Sequence, residues 1–218
     1  TRFSPSSSAS AFHIGHILTG MPTSLYVKKY GGKFYVRIED TNPEKTVPEC
    51  YESFPKEAEW IFGNVDEWYA QSDRMQTYYG FAEELIKKGL AFVCMCKKEE
   101  NEENDESTRK VREPCKCRNN SIKDNQEKWQ KMLDKKGFKE GEAILRFKSL
   151  DLNISNPALL DFPLARINLT PHPRQGKKYR VWPLMNLCVT YDDIERNYHD
   201  AILELAAFNR LLTPEEIK

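Results

Sequence analysis

Apolar positions change period several times along the first ninety residues, and each change marks an element. Between residues 73 and 88, Met75, Tyr78, Tyr79, Ala82 and Ile86 recur at helical spacing, with Gly89 as the stop. That stripe reads as core. Lys33-Phe34-Tyr35-Val36-Arg37-Ile38 is rich in aromatic and β-branched residues and predicts a strand, as do Arg2-Phe3 and residues 91–95. Residues 14–30 predict a helix closed by Gly31-Gly32, with Pro22 as a kink point, and residues 48–61 predict a second helix ending near Trp60. The order strand, helix, strand, helix, helix, strand predicts an α/β fold on a parallel sheet.

The character of the chain changes at Cys94. Residues 99–106 form an acidic run without an apolar side chain, which reads as a solvated loop. A helix is predicted over 121–136, with Ile122, Trp129, Met132 and Leu133 on one face, and a strand over 142–148. Residues 151–176 carry Pro157, Pro163, Pro171 and Pro173, with Pro183 just beyond, and read as irregular. Apolar sequence returns over 181–189, and residues 198–212 predict a last amphipathic helix. The division expected is the first part of an α/β domain over 1–93, an insertion over 94–180 and a return to that domain over 181–218.

Charge changes this picture in one respect. The 33 basic and 33 acidic residues cancel, so nucleic acid can be attracted only by a local patch, for which Arg174, Lys177, Lys178 and Arg180 are the candidates. No apolar run reaches the ~20 residues of a membrane span, and no secretory leader is apparent, so a cytoplasmic protein is expected. Of six cysteines, four form the pairs Cys94/Cys96 and Cys115/Cys117. Four thiolates are the ligand set of a closed structural zinc site, which could staple a segment too polar to hold itself. Lys97, Lys98, Lys116 and Arg118 flank the sulfurs, whereas Cys50 and Cys188 stand alone and read as core.

The candidate chemistry begins at Phe12-His13-Ile14-Gly15-His16, between a Ser-rich loop and a predicted helix. A helix N-terminus offers unpaired N–H groups and a positive dipole end to phosphate. Two imidazoles add donors, and the glycine allows close approach. Glu39-Asp40-Thr41-Asn42-Pro43 ends the second strand, where ligands of open α/β sheets bind. Plain turn chemistry explains Asp40 to Pro43 equally well, and Glu39 less well.

Several ordered stretches together resemble the catalytic region of a glutamyl-tRNA synthetase of the archaeal type. They are Thr1-Arg2-Phe3-Ser4-Pro5, the His13-Ile14-Gly15-His16 motif, Phe34 to Pro43, Gln71-Ser72-Asp73-Arg74, Glu140 to Arg146, Pro171-His172-Pro173-Arg174 and Lys178 to Leu184. The resemblance implies a class I fold, a Rossmann-like sheet split by an acceptor-binding insertion that here carries the zinc knuckle. It implies activation of glutamate by ATP with Mg2+, then transfer to the acceptor end of tRNA(Glu). His13, Gly15 and His16 would hold ATP, the two histidines acting in catalysis. Arg2 would pair with a substrate carboxylate, Glu39 would take the α-ammonium, and Ser4, Ser6 and Met185 would line the amino-acid pocket.

The chain departs from that family in four places. The loop before His13 is one residue longer and lacks a glycine. Met185 stands where a tyrosine is expected. After Asp192-Asp193-Ile194-Glu195 the sequence moves directly to Arg196-Asn197-Tyr198-His199, without the family's next strand. A second, lysine-rich ATP motif does not occur in the 218 residues. Glutaminyl-tRNA synthetase, a relative that glutamylates a tRNA base, and a non-catalytic tRNA-binding paralogue or fragment therefore stay open beside glutamate ligation.

Overall fold

The structure, a computed structural model, describes residues 1–96, 115–149 and 160–195. The predicted acidic loop at 99–106 and the helix at 198–212 lie outside the described residues. The described residues form two compact units, 1–74 with 171–176 and 188–195, and 75–96, 115–149 and 160–170 with 177–187.

The first unit is built on a parallel sheet of β1 (Arg2–Phe3), β2 (Tyr35–Ile38) and β3 (Glu67–Ala70), in that order. Val36 and Ile38 are fully buried, as the aromatic and β-branched composition of β2 requires. Two helices cover the sheet residues, α1 (Ile14–Tyr30) and α2 (Cys50–Phe62). Phe3, Val27, Phe34, Val36, Ala58 and Phe62 form one core cluster, and Ile38, Cys50, Phe54 and Ala70 another. Gly20 of α1 faces the Phe62 ring so closely that a Cβ there would fall 2.4 Å from its Cζ. α1 runs on through Pro22, and its C-terminal stop is Gly31 at φ 80°.

The second unit is an antiparallel sheet of β4 (Ala91–Cys94), β5 (Ile144–Phe147), β6 (Pro163–Ile167) and β7 (Val181–Pro183), in that order. Helices α3 (Met75–Lys87) and α4 (Ile122–Leu133) belong to it. Met75, Tyr78, Ala82 and Ile86 of α3 are buried, as their spacing predicts. On α4 Trp129 and Met132 are buried while Ile122 is 46% exposed. Asn125 of α4 accepts the Val93 N–H at 3.0 Å, which occupies a donor on the edge strand β4. The last helix among the described residues, α5, spans Met185–Glu195.

Three local expectations are corrected. Residues 91–94 do not extend the parallel sheet; they pair antiparallel with β5, a choice that an apolar run does not encode. The stretch 151–176 is not irregular throughout, because Pro163 opens β6 at the first strand position, where a missing N–H is tolerated. A strand absent from the sequence reading, β3, completes the parallel sheet.

Candidate active site and metal centre

His13 is the N-cap of α1. Its Nδ1 accepts the Gly15 N–H at 3.1 Å, and His16 Nδ1 accepts the His13 N–H at 3.2 Å. The result is a capping box made of two imidazoles, their rings stacked with centroids 3.9 Å apart. With both Nδ1 atoms accepting, each neutral ring carries its proton on Nε2. A Cβ on Gly15 would lie 2.9 Å from the His13 ring, so glycine is what permits this stack. Burial and the neighbouring His13 lower the His16 pKa, while Glu57 opposes them. Glu57 of α2 also accepts the Phe12 N–H at 2.6 Å, and Ser53 donates to the Ser10 carbonyl at 2.5 Å. The loop before His13 is thus tied to α2.

At the carboxyl ends of β1 and β2 the chain forms a second cluster. The loop after β1 runs beside Glu39, with Glu39 N–H donating to the Pro5 carbonyl at 3.2 Å and Ser6 bridging to Glu39 as a parallel pair. Arg2 donates from Nε and Nη2 to the two oxygens of Asp193, each at 2.7 Å, and from Nη1 to Ser4 Oγ at 3.2 Å. Arg37, fully buried, donates to Asp193 at 2.8 Å and to Glu39 at 3.0 Å, and lies 3.7 Å from Asp192. Arg74 pairs with Asp192 at 3.1 Å and with Glu195. Burial pushes the Asp193 carboxyl up, but its hydrogen bonds to Arg2 and Arg37 outweigh that and hold it below the usual carboxylate range. Arg2, Ser4 and Glu39 are therefore linked by side chains, and Ser6 meets Glu39 through the backbone while its Oγ lies 3.0 Å from Ser8 Oγ. Arg37 and Asp193, which join them, were not singled out from the sequence. An arginine between Val36 and Ile38 in a buried strand is the signal that could have found the first.

The segment after β6 contributes a separate knot. Asp40 is buried and accepts from Tyr51 Oη at 2.7 Å and the Ser72 N–H at 2.8 Å. His172 accepts the Arg174 and Gln175 N–H groups on Nδ1, leaving Nε2–H to donate to the Asp40 carbonyl at 2.8 Å. Arg174 is committed to Asp73, with Nε at 2.8 Å and Nη2 at 2.8 Å, and lies over the Tyr51 ring. Its cation is thus paired within the first unit.

Lys177, Lys178 and Arg180 line a groove of about 780 Å³ in the second unit, with Lys135, Tyr179 and Leu169. Lys178 lies 4.9 Å from the Tyr179 ring centroid, and Arg180 also donates to the Phe138 carbonyl. Met185 opens α5 and is 64% exposed; it is counted with the second unit.

The four paired cysteines converge. Their Sγ atoms all lie within 4.8 Å of one another, with Cys94 to Cys115 at 3.6 Å and Cys96 to Cys117 at 3.7 Å. A tetrahedral ion with metal–sulfur bonds of about 2.3 Å places sulfurs ~3.8 Å apart, so the set fits zinc. Burial and the thiols of Cys94 and Cys117 push the Cys96 pKa up to about 12. For Cys94, burial is outweighed by hydrogen bonds from Cys96 and Cys115, which hold it below the usual thiol range. Arg118, beside Cys117 in the sequence, pairs with Asp161 at 3.1 Å.

A profile of the family described as tRNA synthetases class I (E and Q), catalytic domain, matches residues 1–203. The chain belongs to this family. Archaeal glutamate–tRNA ligases are among its relatives: that of Methanocaldococcus jannaschii is 44% identical over 192 residues, covering 88% of this chain and 33% of the relative. That of Nanoarchaeum equitans is 47% identical over 196 residues, covering 88% and 34%. The chain spans about a third of the length of the curated relatives it matches. A solved glutamate tRNA ligase from Elizabethkingia meningosepticum, in complex with its amino acid, superposes with a TM-score of 0.58 at 25% identity, covering 90% of this chain and 41% of that one. The parallel sheet and helices of the first unit are those of a class I synthetase catalytic domain.

Proposed function

We propose that this chain is the glutamate-activating region of a glutamate–tRNA ligase. It would join glutamate to ATP as the adenylate, release pyrophosphate, and pass the acyl group to the tRNA acceptor end. The observation that carries this reading is the arrangement of the first unit. Arg2 of β1 bonds Ser4 and reaches Glu39 through Asp193 and Arg37, Ser6 bridges to Glu39 just beyond β1 and β2, and the imidazoles of His13 and His16 cap α1. Glu39, 22% exposed, suits an α-ammonium, and Arg2 suits a carboxylate. The two Nε2–H groups and the helix N-terminus suit the phosphates of ATP and the charge that grows on departing pyrophosphate. Mg2+ supplied with ATP would share that charge, and zinc in the Cys94, Cys96, Cys115 and Cys117 set would hold the acceptor-binding insertion. Lys177, Lys178 and Arg180 would meet tRNA phosphates.

The test is calorimetry with two stable adenylate mimics, glutamyl and glutaminyl. It needs neither a tRNA nor the lysine-rich motif. Tighter binding of the glutamyl mimic is expected. A clear glutaminyl preference would reassign the substrate, and binding of neither would end the ligase reading.

A further inference from the structure

The Arg2 fork assigned to the substrate carboxylate already carries a carboxylate of its own chain. Asp193 takes the side-on edge of the guanidinium through Nε and Nη2, each at 2.7 Å, and Ser4 takes one Nη1 hydrogen at 3.2 Å. One hydrogen on Nη1 and one on Nη2 remain, on a side chain that is 28% exposed, while Asp193 is only 6% exposed. The surroundings do not restore positive charge. Three arginines, Arg2, Arg37 and Arg74, face four carboxylates, Glu39, Asp192, Asp193 and Glu195, so the cluster is one charge negative. A paired guanidinium still offers hydrogen bonds, which an amide oxygen accepts as well as a carboxylate does. It has lost most of the Coulombic advantage that would select the acid.

We propose that Asp193 is a specificity-determining residue, which offsets the charge of Arg2 and so narrows the preference for an acidic over an amide side chain. This rests on the reading of Arg2 as the substrate-carboxylate partner. Asp193 touches Arg2 rather than the substrate, and acts through it. Substitution by asparagine keeps the shape and an accepting oxygen for Arg2 and Arg37 but removes one negative charge. Arg37 retains Glu39 and Asp192, so the buried cation is not left alone. A purely structural role for Asp193 would change the binding of both side chains alike; the inference requires that they change differently.

The experiment is binding of the glutamyl and glutaminyl adenylate mimics to the parent and to Asp193→Asn, with Asp193→Ser as a second charge-removing variant should the first fail to fold. Thermal unfolding of each variant checks its integrity. The glutamyl-over-glutaminyl affinity ratio is expected to rise by about tenfold in a folded variant, the scale of one partly screened charge pair. Restoring the charge with Asp193→Glu should return the ratio toward the parent's. If the glutamyl mimic binds the parent and the ratio stays fixed in the variants, the inference is wrong and the substrate reading stands. If the glutamyl mimic binds neither parent nor variants, both fall together.

Discussion

At the scale of single residues, the two histidines close the first turn of α1 with their Nδ1 atoms, and the proposed hold on ATP falls to the Nε2 atoms. Replacing both by asparagine keeps short capping acceptors while removing the ring donors. ATP binding by the His13→Asn, His16→Asn double variant should be lost with little change in the unfolding midpoint; undiminished ATP affinity would remove the histidines from that role. The lowered pKa of His16 gives a sign for pH. Below its ordinary value of 6.5 the unfolded chain takes the proton before the folded one does, so this residue costs stability as pH falls through 6.5 and the lower folded value. Unfolding curves at about pH 7.5 and about pH 5.5 should differ less in His16→Asn than in the parent. Gly20 has a steric constraint instead of a chemical one. Gly20→Ala would place its Cβ 2.4 Å from the Phe62 ring and should cost about 1–3 kcal/mol in denaturant unfolding.

At the scale of elements, the long periodic segments were legible and the pairing choices were not. The α3 stripe and the β2 composition fixed their own burial, since each period matches one geometry. β3 was missed because Glu67-Trp68-Tyr69-Ala70 is only four residues long, with its first two exposed and its last two buried, which is no alternation at all. β4 was given the wrong partners because four buried residues look the same in a parallel or an antiparallel sheet. Glu39 was visible because it stands at a strand end, whereas Arg2 and Ser4 were reached only through the family resemblance. Their link to Asp193 spans 191 residues for Arg2, and no local pattern reports it. The cysteine pairs were legible because short spacing on two segments leaves few other uses. They join the end of β4 to Cys115, which caps the turn leading to α4. Removing one ligand should therefore loosen that end of the second unit. Cys117→Ser is expected to lose stoichiometric zinc by elemental analysis and to lower the melting midpoint. An unchanged midpoint after stripping the metal with chelator would make the cluster dispensable to folding.

At the scale of the whole molecule, zero net charge decides where a polyanion can bind. A neutral protein gains no general attraction for RNA, so affinity must come from a place where cations outnumber carboxylates. Arg174 is excluded from that count by its bidentate pair with Asp73. The groove lined by Lys135, Lys177, Lys178 and Arg180 has four cations and no carboxylate among its lining residues, with Tyr179 as a surface for a base. Four phosphate contacts to a single strand would give a slope of log affinity against log salt near −3, since each contributes about −0.7. Binding of an acceptor-stem RNA with a free 3′ end, followed by fluorescence anisotropy across a salt series, should show such a slope. Lys135→Ala and Lys177→Ala should each flatten it by about 0.7, and Arg174→Ala should leave it as it was. A slope that flattens with Arg174 and not with the lysines would move the RNA off this groove, and the paired arginine would have to open from Asp73 to meet it.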